Sequence, residues 1–485
     1  MSCQIMNIMF YFSTDLTIFI KRALKRLKLL PKTELPNTIN SARGAWSNRL
    51  AFILAATGSA VGLGNIWKFP YITGENGGGA FVLVYLCCIA LIGIPLMIAE
   101  VLIGRRGNSS PTRSFQTLAA DSGQSRHWGL VGTSGIMASF LILSFYSVIG
   151  GWALAYLFYA TTAGFSGYSV EIITDLFDKL LSDPLAMLFW HTVFMLLVGA
   201  VVTRGINKGI ERAASILMPA MFVLLLILVG YALTTDGFKQ SIIFLFQPDF
   251  SKLSTEGVLT ALGHAFFTLS LGMSTMVVYG SYLPKHISIT NASVIVSILD
   301  TVVALMVGVA IFSIVFSNGL EPGQGPGLIF KTIPLAFNQI TGGYILGIVF
   351  FFLLVFAAWS SAISLLEPPV ARIMDNNISR PKATLLAAGL AWVMGITCLL
   401  SFNYWSELQL IGSRHIFDSL DYLTTNIMLP LTGLGVAFFC GWTMKKSETN
   451  SELLHSSKHW FAIWHFLIRY LVPALVLIVF IYNIY

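Results

Sequence analysis

Charge is scarce in this sequence: Asp, Glu, Lys and Arg together make up 11% of 485 residues, where an ordinary soluble domain carries about 25%. Cysteine is scarce too. Of the five, Cys3 lies near the N-terminus and Cys87, Cys88, Cys398 and Cys440 lie inside apolar runs, none with metal-ligand spacing or a credible disulfide partner. There is no HExxH, no G-x-S-x-G and no His/Cys ligand cluster, which removes the common metallohydrolase and serine-hydrolase designs. A basic amphipathic stretch with Lys21, Arg22, Lys25, Arg26 and Lys28 has no small-residue cleavage site after it, so it does not read as a signal peptide.

What the sequence has is hydrocarbon. Hydrophobic residues make up 56% of it and the mean hydropathy is +0.77, more apolar surface than a soluble core of this length hides. The expectation is an all-α polytopic membrane protein. Eleven apolar segments reach the ~20 residues a bilayer needs, near 47–73, 79–104, 129–161, 185–203, 208–233, 257–282, 288–317, 341–374, 382–401, 418–443 and 460–484. The net charge of +7 could point to nucleic acid, but the basic residues cluster in short loops and the N-terminal tail. Arg105, Arg106, Arg113, Arg126, Arg204, Lys208, Lys285, Arg380, Lys382, Lys445 and Lys446 fall in alternate loops, and Glu171, Asp175, Asp178, Asp183, Asp236 and Asp249 in the others. That pattern predicts a cell (inner) membrane protein with its N-terminus cytoplasmic and its C-terminus outside, and no nucleic-acid partner. Residues 1–45 read as a basic cytoplasmic tail lying on anionic lipid.

Two of the segments are poor helices. The first contains Gly58, Gly62 and Gly64, with polar Ser59 and Asn65 between and after them. Glycines there serve either close helix packing or a break in the helix, each costing ~1 kcal/mol relative to alanine. In hydrocarbon a break leaves backbone groups unpaired unless protein, water or a ligand fills their valences. The sixth contains the run 269–275, LSLGMST, with the same character. The first and sixth segments lead two halves of five, 47–233 and 257–444, within a core of 46–445 that is followed by a linker and eleventh helix over 446–485. Five is odd, so the second half enters the membrane inverted, and paired broken helices in inverted halves point to a substrate site at the midplane of a secondary transporter.

The stretches GSAVGLGNIWKFPYITGENGGGAF, FFTLSLGMS and AAWSSAISLLEPP resemble the neurotransmitter:sodium symporter family, most closely its bacterial eleven-span amino-acid transporters, over residues from about 45 to 485. The resemblance implies a sodium-coupled importer of an apolar or aromatic L-amino acid working by alternating access. An amino-acid sensor on the same fold, binding without net transport, is the alternative. It implies that the substrate carboxylate meets the amides of Leu63 and Gly64 and the hydroxyl of Tyr146, and the amine the carbonyls of Ala60, Phe267 and Thr268 with help from Ser270. The side-chain pocket would be Ile142, Phe267, Ser270, Met273, Ser361 and Leu365. Relatives that carry biogenic amines place an aspartate at the position of Gly62, so a substrate bringing its own carboxylate is favoured.

Two sodium sites are implied. The first comprises Ala60, Asn65, Thr268, Asp300 and the substrate carboxylate; the second comprises Gly58, Val61, Ala357, Ser360 and Ser361. All offer oxygen. Many relatives have asparagine where this chain has Asp300, and the fixed negative charge implies transport without chloride. His264, one turn before Thr268, is placed to bond Asp300 or to pack. Lys68 and Asp421 are the implied outer gate, and Arg43 and Asp375 the inner one, with Trp46 beside it and Tyr282 bracing it. Residues 319–327 form a glycine- and proline-rich outer loop, and Glu100 and Glu367 either line the exit path or snorkel at helix ends.

Overall fold

In the computed structural model the described residues are 44–485 apart from 163–164, 166–168, 321–326, 341, 454–457 and 485. Arg43, the tail and most of the 319–327 loop therefore lie outside the described residues. Nearly everything described is helix. Among the described residues nine helices are long and apolar enough to cross a membrane: α3 (Gly79–Gly107), α4 (Arg126–Thr162), α5 (Pro184–Thr203), α6 (Ile206–Ala232), α9 (Ile289–Ser317), α10 (Gly343–Met374), α11 (Arg380–Leu400), α12 (Ile416–Thr443) and α13 (His459–Tyr482). A tenth span is a pair, α1 (Arg49–Ala60) and α2 (Gly64–Glu75), bent by 50°. The expected sixth span, 257–282, is also two helices, α7 (Thr255–Thr268) and α8 (Thr275–Ser281), joined by non-helical residues. Counted with it, the arrangement is consistent with eleven spans. A small hairpin, Gln409–Ile411 with Arg414–His415, is the one paired sheet among the described residues.

Local chemistry explains where the broken helices begin and stop. Asn48 starts α1 by accepting the Ala51 N–H at 2.9 Å, and Ser254 starts α7 by accepting the Gly257 N–H at 3.0 Å, each satisfying an orphan donor. Val61, with ψ of 101°, leaves the helical region and ends α1. Beyond α7 the chain takes positive φ at Ser270 (54°), Gly272 (75°) and Ser274 (61°), a conformation no helix continues through.

The two interruptions face each other. The Ser270 hydroxyl donates to the Ser59 carbonyl at 2.9 Å, and Ser59 in turn donates to Ser364 Oγ of α10 at 2.7 Å. Close approach of α3 and α8 depends on two glycines: a Cβ on Gly104 would run into the Val277 carbonyl, and one on Gly280 into the Val101 carbonyl. Such backbone contact is how membrane helices gain packing energy without a hydrophobic drive.

Candidate functional site

At the crossing of the two breaks, α1–α2 and α7–α8 meet α4, α9 and α10. Asp300, on α9, is fully buried. Its carboxylate accepts from Asn65 Nδ2 at 2.8 Å and from the Thr268 hydroxyl at 3.1 Å to each oxygen. Asn65 also donates to the Asp300 carbonyl at 3.2 Å and accepts the Gly62 N–H at 3.1 Å, so a single amide side chain ties the first break to α9. No cationic side chain pairs with Asp300 among the described residues. A carboxylate at membrane depth is costly unless compensated, and this one has hydrogen-bond donors but no counter-charge.

A second oxygen cluster gathers around Ser361 on α10. The Ser361 hydroxyl sits 3.4, 3.1 and 3.4 Å from the carbonyls of Gly58, Ser59 and Val61, and Ser360 donates to the Ala357 carbonyl at 3.1 Å. One hydroxyl cannot donate well to three carbonyls at once, so lone pairs are left over, as a hard cation requires. The donor types of both clusters fit sodium. Groups of three or more His, Cys, Asp or Glu that would suit a transition metal are absent among the described residues.

Between the two clusters is a small cavity of about 20 Å³ lined by Ser59, Ala60, Gly62, Gly64, Ile142, Tyr146, Phe267, Thr268, Ser270, Met273, Ser361 and Leu365. The structure thus brings together every residue expected at the substrate site except Leu63. Leu63 is joined through its N–H, which donates to Tyr146 Oη at 3.0 Å. The cavity has room for about one water, so an occupant has to move side chains apart. Gly62 faces it directly: a Cβ there would lie 2.8 Å from Tyr146 Oη and against Ser361 Oγ. A larger cavity of about 320 Å³ lies beyond, shares Gly64, Tyr146 and Phe267 with the first, and is lined further out by Trp67, Tyr71, Phe417 and Asp418. Phe267 is the partition between them.

The expected gates divide. Lys68 and Asp421 both line the larger cavity, but they form no ion pair. The Lys68 ammonium instead sits 4.9 Å from the centre of the Phe267 ring, and Asp421 accepts from the Thr425 hydroxyl at 3.0 Å. The aromatic face competes for the lysine, and the outer pair as expected is not made here. On the other side Trp46 is buried; its indole N–H donates to the Tyr279 carbonyl at 2.9 Å and its backbone N–H to the Tyr282 carbonyl at 3.0 Å. Tyr282 donates to Glu367 at 2.8 Å, and Glu367 is paired with Arg380. Asp375 accepts from Ser110 and lies 3.4 Å from Arg113.

His264 does not bond Asp300. It stacks on Phe69 at 6.0 Å and packs on Tyr85 at 5.5 Å, with neither ring nitrogen hydrogen-bonded among the described residues. Glu100 neither snorkels nor opens to an aqueous path: it is fully buried and accepts the Gly272 N–H at 2.7 Å, holding the second break from behind. That role, and those of Ser59 and Ser364, had no signal in the sequence beyond a polar residue inside an apolar run.

A family model described as the sodium:neurotransmitter symporter family matches residues 43–167 and 181–485. An uncharacterized sodium-dependent transporter of Bacillus subtilis is 39% identical over 439 residues, covering 90% of this chain and 96% of the relative. One from Haemophilus influenzae is 33% identical over 458 residues, covering 92% and 100%. Among solved structures, the crystal structure of MhsT in complex with L-phenylalanine is 46% identical and superposes with a TM-score of 0.85 over 90% of this chain and 99% of that one.

Proposed function

The chain belongs to the sodium:neurotransmitter symporter family and is a sodium-dependent transporter; from that premise we propose that it imports an apolar or aromatic L-amino acid by alternating access, coupled to two sodium ions and without chloride. The observation that carries this reading is the buried Asp300 carboxylate, held by Asn65 and Thr268 with no cationic partner, at the meeting point of two broken helices. A buried carboxylate held in this way attracts a cation.

In this mechanism Tyr146 and the Leu63 amide, hydrogen-bonded to each other at 3.0 Å, exchange that bond for the substrate carboxylate. The amide donates from one side and the hydroxyl from the other, at the N-terminal end of α2, where anions are favoured. The Ala60, Phe267 and Thr268 carbonyls take the ammonium. Asn65, Thr268, Asp300 and the Ala60 carbonyl hold one sodium, whose shell the substrate carboxylate completes, so that neither binds well alone. Gly58, Val61 and Ala357 carbonyls with Ser360 and Ser361 hold the other. Phe267 then seals the site from the larger cavity, and release follows undocking of Trp46 and Tyr282 on the opposite face. The two inverted halves, 47–233 and 257–444, supply the symmetry for this exchange, with the N-terminus on the cytoplasmic side.

The pocket residues Ile142, Met273 and Leu365 suit an apolar side chain, and the similarity to a transporter solved with L-phenylalanine supports an aromatic one. Two charges moving through 100 mV release ~4.6 kcal/mol, enough for about a thousandfold accumulation at ~1.4 kcal/mol per decade.

The test is uptake of labelled L-phenylalanine into proteoliposomes. An inward sodium gradient drives accumulation and equal potassium on both sides does not; replacing chloride by gluconate leaves the rate unchanged. Binding without accumulation would favour the sensor, and a chloride requirement would overturn the role given to Asp300.

A further inference from the structure

Arg469 is a charged residue inside the last apolar span, ten positions into α13, about 15 Å along the helix from its start. It pairs with no carboxylate among the described residues, and its Nε is buried without a hydrogen-bond partner. A guanidinium in such a segment is expensive unless it reaches an anion or water.

Its surroundings are built for it. The guanidinium lies 4.2 Å from the Trp442 ring centre and 5.5 Å from that of Tyr470. The Trp442 indole N–H donates to the Arg469 carbonyl at 3.1 Å. Gly441 makes room for the stem: a Cβ there would meet Arg469 Cα at 2.9 Å. Trp442 precedes the last residue of α12, so Arg469 stands level with the end of that span, where Lys445 and Lys446 follow. Both rings face outward, Trp442 54% and Tyr470 50% exposed. Lys446, three residues beyond the end of α12, adds a second positive charge at that end of the span. Lys446 has no carboxylate partner among the described residues either.

We propose that the outer face of α12 and α13 at Arg469, Trp442, Tyr470 and Lys446 binds the phosphate of an anionic phospholipid. The guanidinium offers parallel N–H donors to the phosphate oxygens. The flanking rings sit at headgroup level, as aromatic belts do, with hydrocarbon-facing surface on the α13 side for the acyl chains. Lys446 supplies the charge that favours an anionic headgroup over a zwitterionic one, each basic residue near the surface contributing modestly. The site is remote from the substrate pocket and does not depend on the transport reading.

The test uses the full-length protein in detergent with added phosphatidylglycerol or phosphatidylcholine of identical chains, read by native mass spectrometry and by thermal unfolding. The wild type is expected to retain one phosphatidylglycerol in preference to phosphatidylcholine and to unfold at a higher temperature with it. In Arg469→Gln that retention falls about fivefold or more and the stabilisation disappears, while Arg469→Lys keeps part of both. If Arg469→Gln does not purify, Trp442→Leu combined with Lys446→Gln carries the test, with the same expected loss. Equal retention by wild type and variant, or the same stabilisation from water-soluble glycerophosphate, overturns the proposal.

Discussion

Asp300→Asn tests the electrostatic core of the proposed mechanism while sparing the fold. The amide keeps the size of the carboxylate and keeps an acceptor for Asn65, whose bond is 2.8 Å; its new N–H can donate to the Thr268 hydroxyl, which now sits at 3.1 Å. What disappears is a full negative charge beside the first sodium. A unit charge pair at ~4 Å in an effective dielectric of ~20 is worth about 4 kcal/mol. The introduced amide oxygen can still coordinate, so about 2–3 kcal/mol of that is lost, equivalent to a 30- to 150-fold rise in the sodium concentration for half-maximal uptake at ~1.4 kcal/mol per decade. The assay is the initial rate of L-phenylalanine uptake into proteoliposomes over a range of external sodium, with ionic strength held constant by choline. Thermal unfolding without sodium serves as the control and should change little. A sodium titration of the variant that superposes on that of the wild type would show that Asp300 is not a sodium ligand.

Four further substitutions probe the cavity and the inner latch. Gly62→Ala and Gly62→Asp should both abolish the thermal stabilisation given by L-phenylalanine with sodium, because any Cβ lies 2.8 Å from Tyr146 Oη; Gly58→Ala should retain it, since the obstacle there is the flexible Met218 thioether at 3.0 Å, and equal behaviour of the three would displace the substrate from this cavity. Tyr282→Phe removes the 2.8 Å bond to buried Glu367, about 1.5–3 kcal/mol for a charged partner. Fewer molecules then stand closed on that side, and apparent L-phenylalanine affinity measured from the outside should fall about tenfold or more; an unchanged value would mean that Tyr282 does not bias the two states.

The spans were legible because hydrocarbon length sets them directly, and α9 and α10 end within a few residues of the expected 288–317 and 341–374. The first break was legible because glycine clusters, together with Asn65, are costly in a membrane helix unless used. Side-chain destinations were less so. Lys68 could reach either Asp421 or the Phe267 ring, and the choice depends on the separation of α2, α7 and α12, which no local pattern encodes. The spacing of His264 to Thr268 allowed either a bond to Asp300 or simple packing, and the helix settles it by turning the ring onto Phe69 and Tyr85. Glu100 is a single acid in an apolar run; only the positive φ of Gly272, and the amide it turns toward α3, gives that acid its task.

The alternation of left-handed residues at Ser270, Gly272 and Ser274 has a mechanical meaning. Each would have to cross a sterically forbidden region of backbone torsion space before the segment could become helical, and two of the three are not glycine. Small rotations therefore cannot anneal α7 and α8 into one rod. In the proposed cycle the joint keeps its shape while the rods on either side of it pivot, so movement on one face of the membrane need not be relayed along a continuous helix to the other.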